Sequence, residues 1–338
     1  MSEKMVDSKN KSSYTISRKN EDVKAVALTS FLFFFIFCMI SFLRGVCMDI
    51  KKCSLFADVA ETENFTKSGE RLGYTQSGVS HILKSLEDEV GFPLFIRNKQ
   101  GVKLTANARQ ILPAVRSLLA NHENLEQIIS EINGLETGSL TIATFSSISI
   151  HWLPKIIHHF QEIYPNINIQ LMEGGTDDIV KWVENDMADF GFMSARNLHL
   201  LEFIPLCEDP LMAVLPKDAP IPESGAYPIS DFEGQNFIIS AMGTDYDIHY
   251  ALDNSTVQPN IQFSSTDDHA IISMIANKLG ISILPKLIIR NFEDQIASYP
   301  LDPYYYRTLG IAVKAKDNMS PAAMKFLNLT KEMIPELM

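Results

Sequence analysis

The sequence predicts an α/β chain that opens on a winged helix-turn-helix, continues as one long helix and ends in a two-lobed domain. Three observations predict it. From Leu55 to Leu104 the pattern reads helix, short helix, turn, helix and then a hairpin. From Ala108 to Ile132 apolar side chains recur at heptad spacing. After Gly134 short β-rich runs alternate with helical ones, as in parallel strands joined by crossover helices. A length of 338 residues allows two or three domains, and an apolar share of 46% supports packed cores.

In the first unit, Leu55, Phe56, Val59 and Ala60 recur at helical spacing. Asn64 reads as the N-cap of a second helix over 65–72, broken by Gly73. Thr75 caps a third helix that runs from Gln76 to about Val90. On that helix Val79, Ile82 and Leu86 suit a core, while Ser77, Ser80, His81 and Lys84 fall on the opposite side. The polar face holds hydrogen-bond donors and a cation with no carboxylate, which suits phosphates and base edges; taken alone it is an ordinary solvated face. The acids Glu87, Asp88 and Glu89 are kept to the far end. Next, Gly91 to Arg97 reads as a turn and strand, Asn98 to Gly101 as a hairpin turn, and Val102-Lys103-Leu104 as the return strand. This wing offers Arg97, Lys99 and Lys103 to a phosphate backbone.

Charge qualifies that reading. The net charge of −12 belongs to a poor polyanion binder on average. It is unevenly spread, because residues 135–338 carry 12 basic against 26 acidic side chains, and residues 64–109 carry 7 against 4. Screening over about 8–10 Å lets a small basic face act locally. The cysteines Cys38, Cys47, Cys53 and Cys207 form neither a metal spacing nor a disulfide framework, which suits a reducing compartment.

The stretch Phe56–Ala108 resembles the DNA-binding domain of LysR-type transcriptional regulators. The matching elements are Thr75-Gln76-Ser77, Ser80-His81-Ile82, Leu86-Glu87, Gly91 through Arg97, and Leu104-Thr105. The resemblance implies operator contacts from Thr66, Thr75, Gln76, Ser77, Ser80, His81, Lys84, Arg97, Lys99 and Lys103. Three departures stand out. Ser68-Gly69 replaces two alanines, which predicts a looser second helix. His81 replaces an arginine, and Ala108 replaces a glycine.

The heptad seam comprises Ala108, Ile111, Val115, Leu118, His122, Leu125, Ile129 and Ile132. It predicts a dimerisation contact through Ile111, Val115, Leu118, Leu125, Ile129 and Ile132, matching the linker helix of the LysR-type family. Pro113 lies off the seam, where it bends rather than abolishes the helix. His122 reads either as a pH-sensitive wedge or as a tolerated polar register marker.

Beyond Gly134, strands are expected at Leu140–Ala143, Ile167–Met172 and Ala188–Phe192, with helices through His158 and over Asp177–Asn185. A second α/β unit is expected at about 211–305, with strands near Met212–Leu215, Phe237–Ser240 and Asn260–Ser264, a helix through Met274–Lys278 and then the run Gly280–Pro285. The chain near Thr308–Lys314 is expected to return to the first lobe. This two-lobed plan resembles periplasmic binding proteins and the effector domain of LysR-type regulators, and the family resemblance spans roughly 48–335. Ligands of such sheets sit beyond the carboxyl ends of strands. The effector residues expected there are Thr144, Ser146, Ser147, Ala195, Ser240, Thr266 and Leu284. Each hydroxyl alone is an ordinary N-cap; their recurrence at successive strand ends argues for a cleft. Asp267 and Asp268 leave the charge of the effector open.

No nucleophile elbow, metal-ligand spacing or phosphate-binding glycine loop occurs, so neither an enzyme, a cofactor nor a metal is expected. His158-His159 reads as a surface pair. The expected partners are double-stranded DNA, a small-molecule effector, further copies of the chain as dimer or tetramer, and RNA polymerase. The domains are expected at 48–107 (winged helix-turn-helix), 108–136 (linker helix) and 137–338 (effector domain), with lobe I at about 137–210 and 306–338. A competing reading is a membrane-anchored solute-binding protein of the same two-lobed plan; the patterned residues 55–105 argue against it.

The start of the chain is odd. Residues 25–43 are uncharged and long enough to span a bilayer, and six Lys/Arg precede them. The positive-inside rule would then export everything after residue 44, DNA-binding unit included. The expectation is therefore a cytoplasmic protein that starts at Met48, with a membrane-tethered regulator as the alternative.

Overall fold

The computed structural model describes residues 48–98, 101–220, 222–241 and 243–337. The uncharged run at 25–43, Lys99 and Gln100 lie outside the described residues. The chain divides into two compact units at Gln110/Ile111.

The first unit begins with helix α1 (Ile50–Thr62), capped by Asp49, which buries Cys53, Leu55, Phe56 and Val59. Helix α2 (Phe65–Leu72) starts where the Asn64 side chain accepts from the Thr66 and Lys67 amides, and stops at Gly73 with φ of 75°. Helix α3 (Gln76–Val90) starts where the Thr75 hydroxyl accepts from the Gly78 amide, and stops at Gly91 with φ of 83°. Its buried face is Val79, Leu83 and Leu86, with Ile82 only half-buried. Leu83 therefore takes the core position expected of Ile82; both fit a helical stripe, and the packing direction decides between them.

The second helix is not loosened by Ser68-Gly69. Ser68 is fully buried, with its hydroxyl 2.5 Å from that of Thr62. A Cβ on Gly69 would stand 2.6 Å from the Tyr74 carbonyl oxygen, and the Tyr74 amide donates to the Gly69 carbonyl at 2.7 Å. The glycine is what allows the turn to close on the helix.

Strands β1 (Phe95–Asn98) and β2 (Gly101–Leu104) form the antiparallel wing, Phe95 opposite Leu104. Glu87, near the end of α3, accepts from the Leu94 and Phe95 amides at 2.6 and 3.3 Å. The Phe95 ring meets Phe56 and Phe65 edge-on, at 5.6 and 5.8 Å between centroids. Helix α4 (Ala106–Ile132) is capped by the Thr105 hydroxyl on the Ala108 amide and runs unbroken through Pro113. Along its seam Ala108 and Val115 are buried, whereas Leu118, Leu125, Ile129 and Ile132 are 41–78% exposed.

The second unit continues with β3 (Gly138–Thr144), α5 (Ser146–His151), α6 (Leu153–Ile163), β4 (Ile167–Glu173), α7 (Thr176–Glu184), β5 (Phe190–Ser194) and β6 (Glu202–Pro216). There follow β7 (Tyr227–Pro228), β8 (Asn236–Ser240), α8 (Tyr246–Asp253), β9 (Asn260–Ser265), α9 (Asp268–Ala276) and β10 (Ser282–Pro285). The chain closes with α10 (Lys286–Ile289), β11 (Ile296–Asp302), β12 (Tyr306–Val313) and α11 (Pro321–Leu337). Strand β3 pairs in parallel with β4 and β5, and β8 with β9. The sheet is nevertheless mixed, because β12 runs antiparallel to both β5 and β6.

Strand β6 belongs to both lobes. Eight of its first nine residues pair with β12, the register shifting past Leu206, and Leu211–Pro216 pair with β10 and β11. Each lobe has its own core. One gathers Trp152, Phe160, Phe190, Phe192 and Phe326; the other gathers Phe232, Phe237, Ile248, Ile271 and Ile283. Burying each such side chain stabilises by about 1.5–3 kcal/mol. Helix α11 returns to the first core through Phe326 and Leu327.

Candidate functional site

Two surfaces carry chemistry. The first lies on α2, α3 and the wing. Thr66, Thr75, Gln76, Ser77, His81 and Lys84 are exposed, and Ser80 is half-buried. Arg97 and Lys103 of the wing are exposed as well, and Lys99 lies outside the described residues. The Arg97 guanidinium donates to the Ser80 hydroxyl at 2.8 Å and lies 4.8 Å from the centre of the Phe65 ring. The wing cation is thereby held beside the polar face of α3. The Thr75 hydroxyl is engaged as a cap on Gly78 and lies 3.1 Å from that of Ser77.

The second surface is a cavity of about 420 Å³ between the lobes of the second unit. One lobe supplies Phe145, Ser146, Glu173, Gly174, Gly175, Thr176, Asp178 and Ser194. The other supplies Thr244, Asp245, Asp247, Thr266, Asp268 and Ile288, and Arg307 of β12 completes the wall. Of the seven expected effector residues, Ser146 and Thr266 line it. The other five do not. Thr144 is buried and donates to the Phe145 carbonyl at 3.3 Å. Ser147 is buried and accepts from Arg307 at 3.0 Å. The Ala195 amide pairs with the Thr308 carbonyl. Ser240, the last residue of β8, and Leu284 within β10 are both buried. The strand-end rule thus reaches loops beside this cavity, while the turn taken by each backbone selects which side chain faces the space.

The charged residues went unseen in the sequence, apart from Asp268. Arg307 donates from Nε to Asp209 Oδ2 at 3.0 Å, and its Nη1 stands 3.8 Å from Asp245. Burial pulls its pKa down, but Asp209, Asp245 and Asp247 outweigh that and raise it, so the guanidinium stays charged. Asp209 also accepts from the Leu287 amide at 3.1 Å. Burial, then repulsion from Asp245, raises Asp247 to about 6 against the pull of Ser194, Arg307 and Arg196. Asp268 is raised to about 6 by burial and then Asp245, with Arg307 and the Ser146 hydroxyl pulling back. Burial, then the Asp209 charge, pushes the Cys207 thiol up to about 12, so it carries no thiolate at neutral pH.

Several contacts bridge the lobes beside the cavity. Arg196 donates to Asp247 at 2.7 Å and stacks 3.3 Å from the centre of the Tyr250 ring. The Thr176 hydroxyl donates to the Thr244 carbonyl at 3.0 Å, and Asp177 accepts from the Tyr246 hydroxyl at 2.8 Å. At Gly175 a Cβ would stand 2.7 Å from the Gly243 carbonyl oxygen, so only glycine permits this approach.

Residues 50–109 match the family of bacterial regulatory helix-turn-helix proteins of the lysR family, and residues 133–335 match the LysR substrate binding domain. The chain belongs to the LysR family. This LysR-family chain is 31% identical over 291 residues to the uncharacterized HTH-type transcriptional regulator YvbU of Bacillus subtilis (strain 168), an alignment spanning 85% of this chain and 99% of YvbU. Its fold is similar to a full-length OxyR variant from Pseudomonas aeruginosa, with a TM-score of 0.67, 20% identity, and coverage of 85% of this chain and 97% of that one. The regulatory domain of CcmR from Synechocystis PCC6803, solved in complex with 2-PG, aligns at a TM-score of 0.54 and 19% identity, over 58% of this chain and 97% of that one.

Membership makes the LysR-family chain a DNA-binding transcription regulator with an effector domain, in a family of regulators rather than enzymes. Among the described residues no helix is long and apolar enough to cross a membrane, and no three His, Cys, Asp or Glu groups are placed to hold a metal ion. His158 and His159 are exposed and both face Glu162, at 3.7 and 3.2 Å.

Proposed function

We propose that this regulator works in the cytoplasm as a dimer, or a dimer of dimers, on a near-palindromic operator near its own gene. The observation that carries this reading is the pairing of two surfaces on one chain: a carboxylate-free α3 face beside a wing cation, and a polar cavity between two lobes. Ser77, Ser80, His81 and Lys84 read or position on the major groove, and Arg97, Lys99 and Lys103 hold flanking phosphates. The α4 seam supplies the second copy, because its exposed Leu125, Ile129 and Ile132 need an apolar cover.

The effector occupies the interlobe cavity. Binding of 2-PG by the CcmR regulatory domain supports that use of the fold. A ligand that touches both lobes favours one lobe angle, and the shift in population alters DNA bend or the contact with RNA polymerase. Fluorescence anisotropy on the upstream intergenic DNA tests the reading. Selective binding over a scrambled duplex of equal length is expected; equal binding to both, by a folded protein, contradicts it.

A further inference from the structure

The walls of the cavity fix the sign of what it can hold. Glu173, Asp178, Asp245, Asp247 and Asp268 line it, and Arg307 is the one cation among the lining residues. That guanidinium is already engaged: Nε and Nη2 lie 3.0 and 2.9 Å from Asp209, and Nη2 also donates to Ser147. Arg196, outside the lining, is already paired with Asp247 and stacked on Tyr250. With Asp209 and Arg196 included, six carboxylates face two guanidinium groups, an excess of four negative charges when all are ionised.

The space itself is a separate observation. About 420 Å³ falls within the range of small-molecule sites, and Phe145 and Ile288 add apolar wall for a carbon chain. Asp178, at the third position of α7, is exposed and receives no hydrogen bond or ion pair from the described residues, so its carboxylate is available to a ligand. The acids are dispersed around the space rather than gathered for one ion; among the described residues no three could hold a single metal. A ligand with charge centres separated by carbon fits that dispersal better than a metal does.

We infer that the effector of this cavity is an organic cation, a protonated amine or guanidinium whose charged ends pair with the carboxylates of both lobes. The inference rests on reading the cavity as the effector site. An anion would have to approach carboxylates that no free guanidinium offsets, whereas an ammonium supplies positive charge to all of them and a donor to Asp178; Glu173, Asp247 and Asp268 already accept from Ser149, Arg196 and Ser146.

Calorimetry and thermal shift on the full chain test it, with putrescine and agmatine as cations, benzoate and inorganic phosphate as anions, and magnesium chloride as a metal control. Saturable binding of a diamine or guanidine is expected, weakened about tenfold by Asp178→Asn with the unliganded melting temperature unchanged. Asp268→Asn is expected to weaken it similarly, since the amide oxygen still accepts from Ser146. Binding of benzoate or phosphate in preference to the amines, or of magnesium alone, overturns the cation assignment and leaves the cavity as an effector site. Saturable binding by none of these compounds counts against both.

Discussion

Arg307 on β12 stands directly across from Asp209 on β6, and its Nη2 lies 2.9 Å from Asp209 Oδ2 with both side chains buried. The pair sits where β6 passes from one lobe to the other, since the next residues of β6 pair with β10 and β11. Attraction between the two charges offsets their desolvation, and Ser147 and the Leu287 amide satisfy further polar atoms.

Removing one partner leaves the other charge buried and uncompensated. Arg307→Met is therefore expected to cost about 3–5 kcal/mol in urea unfolding of the second unit. Adding Asp209→Leu to it is expected to restore part of the loss, and a double variant less stable than Arg307→Met alone would refute this view of the pair.

Stability should also depend on pH in a definite direction. Asp247 and Asp268 bind protons with pKa about 6, against 3.8 when exposed. Between about pH 4 and 6 the unfolded chain has released these protons and the native chain retains them, so the two groups lower stability as pH rises through that window. The Asp268→Asn variant is expected to show a flatter pH dependence of the unfolding free energy, measured in urea between pH 4.5 and 7, by about 1–2 kcal/mol. An unchanged pH profile would sink the assignment.

Gly69→Ala offers a test of the first unit. Helix propensity alone favours alanine by about 1 kcal/mol. Its Cβ would meet the Tyr74 carbonyl at 2.6 Å, a contact with backbone that cannot swing aside. Net destabilisation of about 1–3 kcal/mol is expected in thermal melts, and a stabilised variant would show that the turn yields.

The α4 seam predicts assembly. Leu125 is 54% exposed on a single chain. Leu125→Glu is expected to shift the sedimentation coefficient towards the monomer and to weaken binding to a two-half-site operator by at least tenfold. A variant that still sediments as the parent does would place the dimer contact elsewhere.

Much of this architecture was readable in the chain, for physical reasons that also mark where reading fails. Asn64, Gly73, Thr75 and Gly91 are local signals, because a cap or a left-handed turn depends on one residue and its neighbours. The strands β3, β4 and β8 announce themselves as short β-branched runs. By contrast β11 and α11 were not anticipated, and β6 was seen only over Met212–Leu215 of its full Glu202–Pro216. Its interruptions at Pro205, Glu208, Asp209 and Pro210 hide a strand whose partners are about a hundred residues away.

The cavity shows the same limit. Hydroxyls at strand ends pointed to Ser146 and Thr266, but Arg307, Asp245 and Asp247 are joined by tertiary packing alone. Arg307 and Asp209 lie 98 positions apart, and nothing local marks either as a site residue.

The most direct test of the central claim is the salt dependence of operator binding. For each of the parent chain, Lys84→Ala and Arg97→Ala, log K against log salt concentration gives a slope that counts neutralised phosphates. The account predicts selective binding by the parent and a slope shallower by about 0.9 in each variant, with melting temperatures close to the parent's. Identical slopes in all three chains, or parent binding blind to sequence, would contradict the placement of α3 and the wing on DNA.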